Sequence, residues 1–324
     1  MKETSPAIQT FGLSKRYGKL TAVDQLEIRV PEGIVFGFLG PNGAGKTTTI
    51  RLLLGLTEPS DGRAEIFGFD CLRQGDRVRA MSGALMENHG LYERLTALYN
   101  MKYYADIYGL ELEHRERRIR ELMEWVDLWE RRKETIKEWS RGMKQKLALI
   151  RAMIHRPRIL FLDEPTLGLD VATARKIRDT IKRLARDHNC TIFFTSHNLP
   201  EVEEICSHVA IINKGRVMAG GRPEDLKSRK GRREVSIRGE GFSKSLIEEI
   251  ADISPSLSPI LRKGEEESTE EITITLENRQ PLDPALQKIL SSGATIRDIQ
   301  TRTQSLEAVF LELTREQEEQ EETK

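Results

Sequence analysis

Between residues 8 and 39 the apolar positions first alternate and then condense. VDQLEIRV sets Leu26, Ile28 and Val30 at every second position, and GIVFGFLG is a short unbroken apolar run rich in β-formers. Alternation predicts strands with one covered face, and the continuous run predicts a strand buried on both. Glycines break the pattern in GPNGAGKTTTIRLLLGL, after which a helical pattern begins. From about 90 to 155 the period lengthens: Leu98, Met101, Tyr104 and Tyr108, then Leu122, Trp125 and Leu128, recur at helical spacing. This predicts a helical insert. RILFLD is a second buried run, followed by a predicted helix over 171–188, a strand in CTIFFTS, a helix over 198–206 and a hairpin in HVAIINKGRVMAGG turning at Lys214-Gly215. Strands alternating with helices predict an α/β fold with a mostly parallel sheet covered on both faces.

The basic stretch LKSRKGRR, 226–233, interrupts this pattern and reads as a linker, either a solvated hinge or a patch facing lipid headgroups. Beyond it, 234–314 carries a strand, helix, two strands around the acidic turn GEEEST, a helix and a strand. That βαββαβ order predicts a small ferredoxin-like α+β domain, closed by a helix from Ser305 to Thr314 whose face carries Leu306, Val309, Phe310 and Leu313. The domain reads as a dimerisation or regulatory module or as a stabilising appendage. Residues 315–324, REQEEQEETK, lack apolar periodicity and are expected to be disordered.

Charge narrows the partners. Over 324 residues, 51 basic and 51 acidic side chains cancel, so no bulk attraction to nucleic acid is expected. Three scattered cysteines without a CxxC pair fit reduced, packed thiols. The N-terminal MKETSPAIQTFG lacks the apolar core of a signal peptide, and no apolar run approaches the ~18 residues needed to span a bilayer. The chain is expected to be soluble.

Gly40-Pro41-Asn42-Gly43-Ala44-Gly45-Lys46-Thr47 fits GxxxxGK[ST] and sits between a predicted buried strand and a helix, where backbone N–H groups and the helix N-terminus can cradle phosphates. Lys46 would reach the β- and γ-phosphates and the Thr47 hydroxyl would hold Mg²⁺. ILFLDEP delivers Asp163 and Glu164 to the C-terminal edge of a strand. Asp163 would support the metal, and Glu164 would orient or deprotonate an attacking water. WSRGMKQK then raises a question, because Ser140 before a helical run is an N-cap and, with Gly142 beside it, also a second anion site.

These motifs, in this order over about 220 residues, resemble the ATP-binding cassette (ABC) ATPases. Gly40 to Thr48 resemble the Walker A loop, Ser140, Gly142 and Gln145 the signature, Asp163-Glu164 Walker B, Asp170 of LGLD the D-loop, and His197 the switch histidine. Tyr17 in SKRYGKL is similar to the aromatic that stacks on adenine. Two departures stand out: Trp139 and Arg141 replace the usual Leu and first Gly of the signature, and Glu87 falls where the Q-loop has Gln, with Asn88 as a neutral neighbour. The resemblance implies a P-loop core with an antiparallel β subdomain and the helical insert, spanning 6–225. It implies ATP and Mg²⁺ as ligands, with Tyr17, Asn42, Gly43, Gly45, Lys46, Thr47 and Thr48 on the nucleotide and Thr47, Asp163 and Glu87 at the metal. It also implies Glu164 and His197 as catalytic groups, and a head-to-tail homodimer in which Ser140, Gly142 and Asp170 serve the other copy's nucleotide.

A nucleotide-driven dimer without a membrane segment implies a separate integral permease, docked around residues 86–100 where Tyr92, Leu95 and Leu98 lie, on the cytoplasmic face of the membrane. The ending SLEAVFLELT resembles drug- and sodium-exporter ATPases, which implies export. A soluble mechanoenzyme acting on nucleic acid or ribosomes is the competing class. Against it stand the absence of a second Walker A, the zero net charge, and a segment between Lys46 and Ser140 too short for a very long coiled coil.

Overall fold

The computed structural model describes residues 6–86, 89–228, 232–252, 259–263, 270–277, 281–303 and 305–322. Two compact units divide at Gly221/Arg222.

In the first unit the chain runs β1 (Ile8–Tyr17), β2 (Leu20–Leu26), β3 (Arg29–Val30), β4 (Val35–Leu39), α1 (Lys46–Leu53), β5 (Asp61–Ile66), β6 (Phe69–Asp70), α2 (Gly75–Ala80) and β7 (Ser82–Leu85). The helical insert follows as α3 (Ala97–Ile107), α4 (Leu112–Trp125), two short 3₁₀ turns and α5 (Arg141–Ala152). The unit closes with β8 (Ile159–Asp163), α6 (Val171–His188), β9 (Thr191–Ser196), α7 (Leu199–Ile205), β10 (His208–Asn213) and β11 (Arg216–Gly221). The central sheet has the order β11-β10-β4-β9-β8-β7, parallel except for the β10–β11 hairpin. A separate antiparallel sheet, β2-β1-β5-β6 with β3 on β1, matches the expected β subdomain.

Register explains the core. Phe36, Phe193 and Phe161 fall in one row across β4, β9 and β8, with ring centroids 5.7 Å apart at each step, and Phe38 adds a contact at 5.2 Å. Ile50 and Leu53 of α1 share that cluster. On the opposite face α7 packs against β4 and β9, so closely that a Cβ on Gly37 would meet Cys206 Sγ at 3.0 Å. Both faces are therefore covered, as the apolar runs require. Truncating Phe193 to Ala is expected to cost about 3–5 kcal/mol, read as a lowered denaturation midpoint; a loss under about 1 kcal/mol would contradict this packing. All three cysteines are buried and free, and burial pushes the Cys71 and Cys190 thiols up to about 12.

The second unit comprises α8 (Pro223–Ser228), β12 (Arg232–Glu240), α9 (Lys244–Ala251), β13 (Ile260–Lys263), β14 (Glu270–Glu277), α10 (Asp283–Ser291), β15 (Thr295–Thr303) and α11 (Leu306–Glu322). Its antiparallel sheet, β13-β14-β12-β15, is the order a ferredoxin-like βαββαβ chain produces. Val235, Ile237, Ile272, Ile274 and Leu276 of the sheet meet Leu246, Ile250 and Ile289 of α9 and α10 in a core of its own.

Two expectations are corrected here. The stretch read as a linker over 226–233 is occupied at both ends, by α8 and by β12, and 229–231 lie outside the described residues. The acidic segment from 315 is helical to Glu322, because Glu, Gln and Arg are good helix formers and extending α11 incurs no new nucleation cost. The acidic turn 264–269 lies outside the described residues.

Candidate nucleotide site

The C-terminal ends of three adjacent strands build the site. Register sets Asp163 of β8 beside Thr195 of β9, and Ser196 beside Leu39 of β4, so the loop after β4, the acids after β8 and His197 after β9 emerge together. The loop then turns sharply into α1. Gly45 has φ +106° and a Cβ there would lie 2.3 Å from the Ala22 carbonyl oxygen, so both conformation and space demand glycine.

Lys46 is buried, and its Nζ donates to the carbonyls of Gly40 (2.7 Å) and Pro41 (3.2 Å) and pairs with Glu164 Oε1 at 3.2 Å. Glu164 Oε2 lies 2.9 Å from His197 Nδ1. Glu164 itself holds φ +49°, an uncommon conformation for a non-glycine residue, and its N–H donates to the Thr195 hydroxyl oxygen at 3.1 Å. The buried Asp163 accepts from two hydroxyls, Thr47 through Oδ2 and Thr195 through Oδ1, both at 2.7 Å. A hydroxyl and a carboxylate beside a phosphate loop are the hard oxygen donors Mg²⁺ takes when phosphates complete its shell, so Thr47 and Asp163 fit that ion. Glu87 and Asn88 lie outside the described residues.

A cleft of about 570 Å³ is lined by Tyr17, Asn42, Gly43, Gly45, Lys46, Thr47, Thr48, Asp163 and Glu164. Tyr17 is 45% exposed, with Lys15 over its ring, so it is not held by packing. Met86, His89, Arg141, Gln145 and Leu167 also face it. Burial, then the nearby Arg141, lowers the pKa of His89 and favours its neutral form. No motif or periodicity marks His89, while Arg141 stands out only as a departure from a motif.

Ser140, Gly142 and Asp170 do not line this cleft. Ser140 is exposed and caps α5, its Oγ accepting from Met143 N at 3.3 Å. Asp170 caps α6 by accepting from Thr173 N at 2.9 Å, a bond that holds its carboxyl below the usual range. Gly142 meets the same Thr173, whose methyl would lie 3.0 Å from an added Cβ, so the first turns of α5 and α6 adjoin. Trp139 is buried, and its indole N–H donates to Glu134 at 3.2 Å, which accommodates the replacement of the motif's Leu. Gln145 donates to the Pro165 carbonyl at 2.6 Å and so ties α5 to the turn after Glu164.

Residues 23–167 match the family described as "ABC transporter". The bacitracin transport ATP-binding protein BcrA of Bacillus licheniformis is 40% identical over 77% of this chain and 81% of its own. The daunorubicin/doxorubicin resistance ATP-binding protein DrrA of Streptomyces peucetius is 32% identical over 95% of this chain and 92% of its own. Among solved structures, an ATP-binding subunit of an ABC transporter superposes with TM-score 0.63 at 29% identity, covering 69% of this chain and 92% of that one. A dimeric post-hydrolysis ATP-binding cassette bound to ADP and Pi shares the fold, with TM-score 0.61 at 22% identity, covering 66% of this chain and 98% of that one.

Proposed function

The chain belongs to the ABC transporter family as an ATP-binding, ATP-hydrolysing subunit, and from that premise we propose that it energises a separate membrane permease that exports its substrate. The observation that carries the reading is Lys46–Glu164 beside Thr47–Asp163 on one cleft, with His197 held against Glu164. In the proposed mechanism Tyr17 stacks on adenine, the loop from Asn42 to Thr48 wraps the phosphates, and Lys46 places its charge on the β- and γ-oxygens. Mg²⁺ at Thr47 and Asp163 would neutralise phosphate charge. Glu164 orients the attacking water and accepts its proton, and His197, held by Glu164, contacts the γ-phosphate.

Head-to-tail pairing would bring the exposed, capped start of α5, with Ser140 and Gly142, onto the nucleotide of a second copy, with Asp170 nearby. A helix N-terminus there adds a further set of N–H donors to the γ-phosphate. Hydrolysis removes the γ-phosphate they grip, so the pair reopens, and a docked permease follows the motion. The relatives' names, with transport and resistance in them, support the export direction.

No described helix is long and apolar enough to cross a membrane. In the proposed arrangement, which the family membership supports, the permease is a different chain and this one is peripheral to the cytoplasmic face. Its docking surface would be the outer side of α3 and the loop before it, where Tyr92, Leu95, Tyr99, Tyr103 and Ile107 are exposed and Leu98 is half-buried. Asn100 pins that loop by accepting from Tyr92 N at 2.8 Å and donating to Tyr92 O at 3.1 Å. Capture of the Glu164→Gln protein from solubilised native membranes, with ATP and Mg²⁺, is expected to bring down an integral membrane protein, and the pair Leu95→Asp/Tyr99→Asp to lose it. Recovery of ribosomal or nucleic-acid components instead would move the protein to the soluble mechanoenzyme class.

A further inference from the structure

One buried acid takes no part in the chemistry above. Glu201, in the first turn of α7, is 4% exposed, yet it lies in the sequence PEVEE, where a solvated acidic face would be expected. Its Oε2 accepts from the Thr166 hydroxyl at 2.8 Å and from the Ser196 hydroxyl at 3.3 Å. Thr166 stands two residues after Glu164, and Ser196 immediately before His197.

The ties continue on both sides. The Ser196 hydroxyl oxygen accepts from Asn198 N at 3.0 Å, and Asn198 Oδ1 accepts from Glu201 N at 3.3 Å, so both neighbours of His197 are bound to one residue. From α6, Arg178 Nη1 approaches Glu201 Oε1 at 3.6 Å while its Nε pairs with Glu204 at 2.8 Å, and Lys182 also pairs with Glu204 at 2.8 Å. Burying a carboxylate is costly unless it is hydrogen-bonded and paired, and burial does raise the pKa of Glu201 against these partners. An alanine or leucine would fill the same turn without that cost. What the acid adds is a single oxygen shared between the turn carrying Glu164 and the loop carrying His197.

We propose that Glu201 is a positioning residue for ATP hydrolysis, fixing the turn that bears Glu164 and the loop that bears His197 in register across β8 and β9. The 2.9 Å contact between Glu164 and His197 is then set from behind, by Thr166 and Ser196, rather than by the two side chains alone. The inference rests on the proposed roles of Glu164 and His197.

Steady-state ATPase assays on the full chain test it. Small misplacements of catalytic groups cost rate rather than binding, so Glu201→Ala is expected to lower kcat about 10- to 100-fold with KM for ATP changed less than about 3-fold. Glu201→Gln, which keeps an acceptor oxygen, is expected to recover kcat to within roughly 5-fold of the unaltered protein. Thr166→Val, near-isosteric and free of any buried charge, is expected to lower kcat without adding to the loss in Glu201→Ala, since the two act through one contact. A kcat unchanged within about 2-fold in Glu201→Ala or Thr166→Val overturns the proposal, as does a loss in kcat and KM together that Glu201→Gln does not rescue. His197→Ala belongs in the same series. Full turnover in that variant overturns the reading of the site and this inference with it, whereas loss there beside an unaffected Glu201→Ala overturns this inference alone.

Discussion

With Gln in place of Glu164, ATP turnover is expected to fall about 100- to 10,000-fold while nucleotide stays bound. The side chain sits between Lys46 Nζ at 3.2 Å and His197 Nδ1 at 2.9 Å, so it is already aligned by a cation on one oxygen and an imidazole on the other. Gln keeps the size and one acceptor oxygen, so the fold and the cleft persist, but it cannot take a proton. The unusual φ of +49° at this position belongs to the backbone, held by the Thr195 hydroxyl, and is retained in the variant. Single-turnover assays with excess protein separate the steps; a variant within about 10-fold of full turnover would remove Glu164 from the role of base.

The second large effect concerns binding. Lys46→Ala is expected to weaken ATP binding by about 2–4 kcal/mol, roughly 30- to 1,000-fold, because it removes a buried cation whose partners are loop carbonyls and a carboxylate. It also leaves Glu164 facing the triphosphate without its counter-charge, which adds repulsion to the lost attraction. Equilibrium titration with a fluorescent ATP analogue reads the change. An affinity within about 3-fold of the unaltered protein would mean that the loop's backbone N–H groups carry the site unaided.

The parts of the molecule legible in the sequence are those where pattern and chemistry coincide. GIVFGFLG and RILFLD declare buried strands by composition, and the motifs at their ends name Lys46, Thr47, Asp163 and Glu164, which the structure sets along one cleft. Most of the opposite wall is not legible in that way. His89 and Arg141 reach the cleft only because the helical insert folds back beside the phosphate loop, a long-range arrangement that leaves no local periodicity. Strand β7, Ser82–Leu85, is short and built from Ser, Gly, Ala and Leu, so nothing but its pairing with β8 identifies it. Glu201 was hidden for the opposite reason: an acid among acids on a short helix reads as solvated until the strands beneath it are placed.

The structure also separates the motif residues into two groups. Lys46, Thr47, Asp163, Glu164 and His197 are brought together, while Gly142 and Asp170 meet through Thr173 at the first turns of α5 and α6, with Ser140 capping α5 beside them. In the proposed pairing of two copies, the second group of one copy meets the nucleotide held by the first group of the other.

Sedimentation velocity of the Glu164→Gln protein in saturating ATP and Mg²⁺ therefore decides whether two copies pair on nucleotide. A dimer that reverts to monomer when ATP is replaced by ADP is expected. A protein that stays monomeric with ATP bound would contradict it and leave the capped start of α5 without a nucleotide to serve.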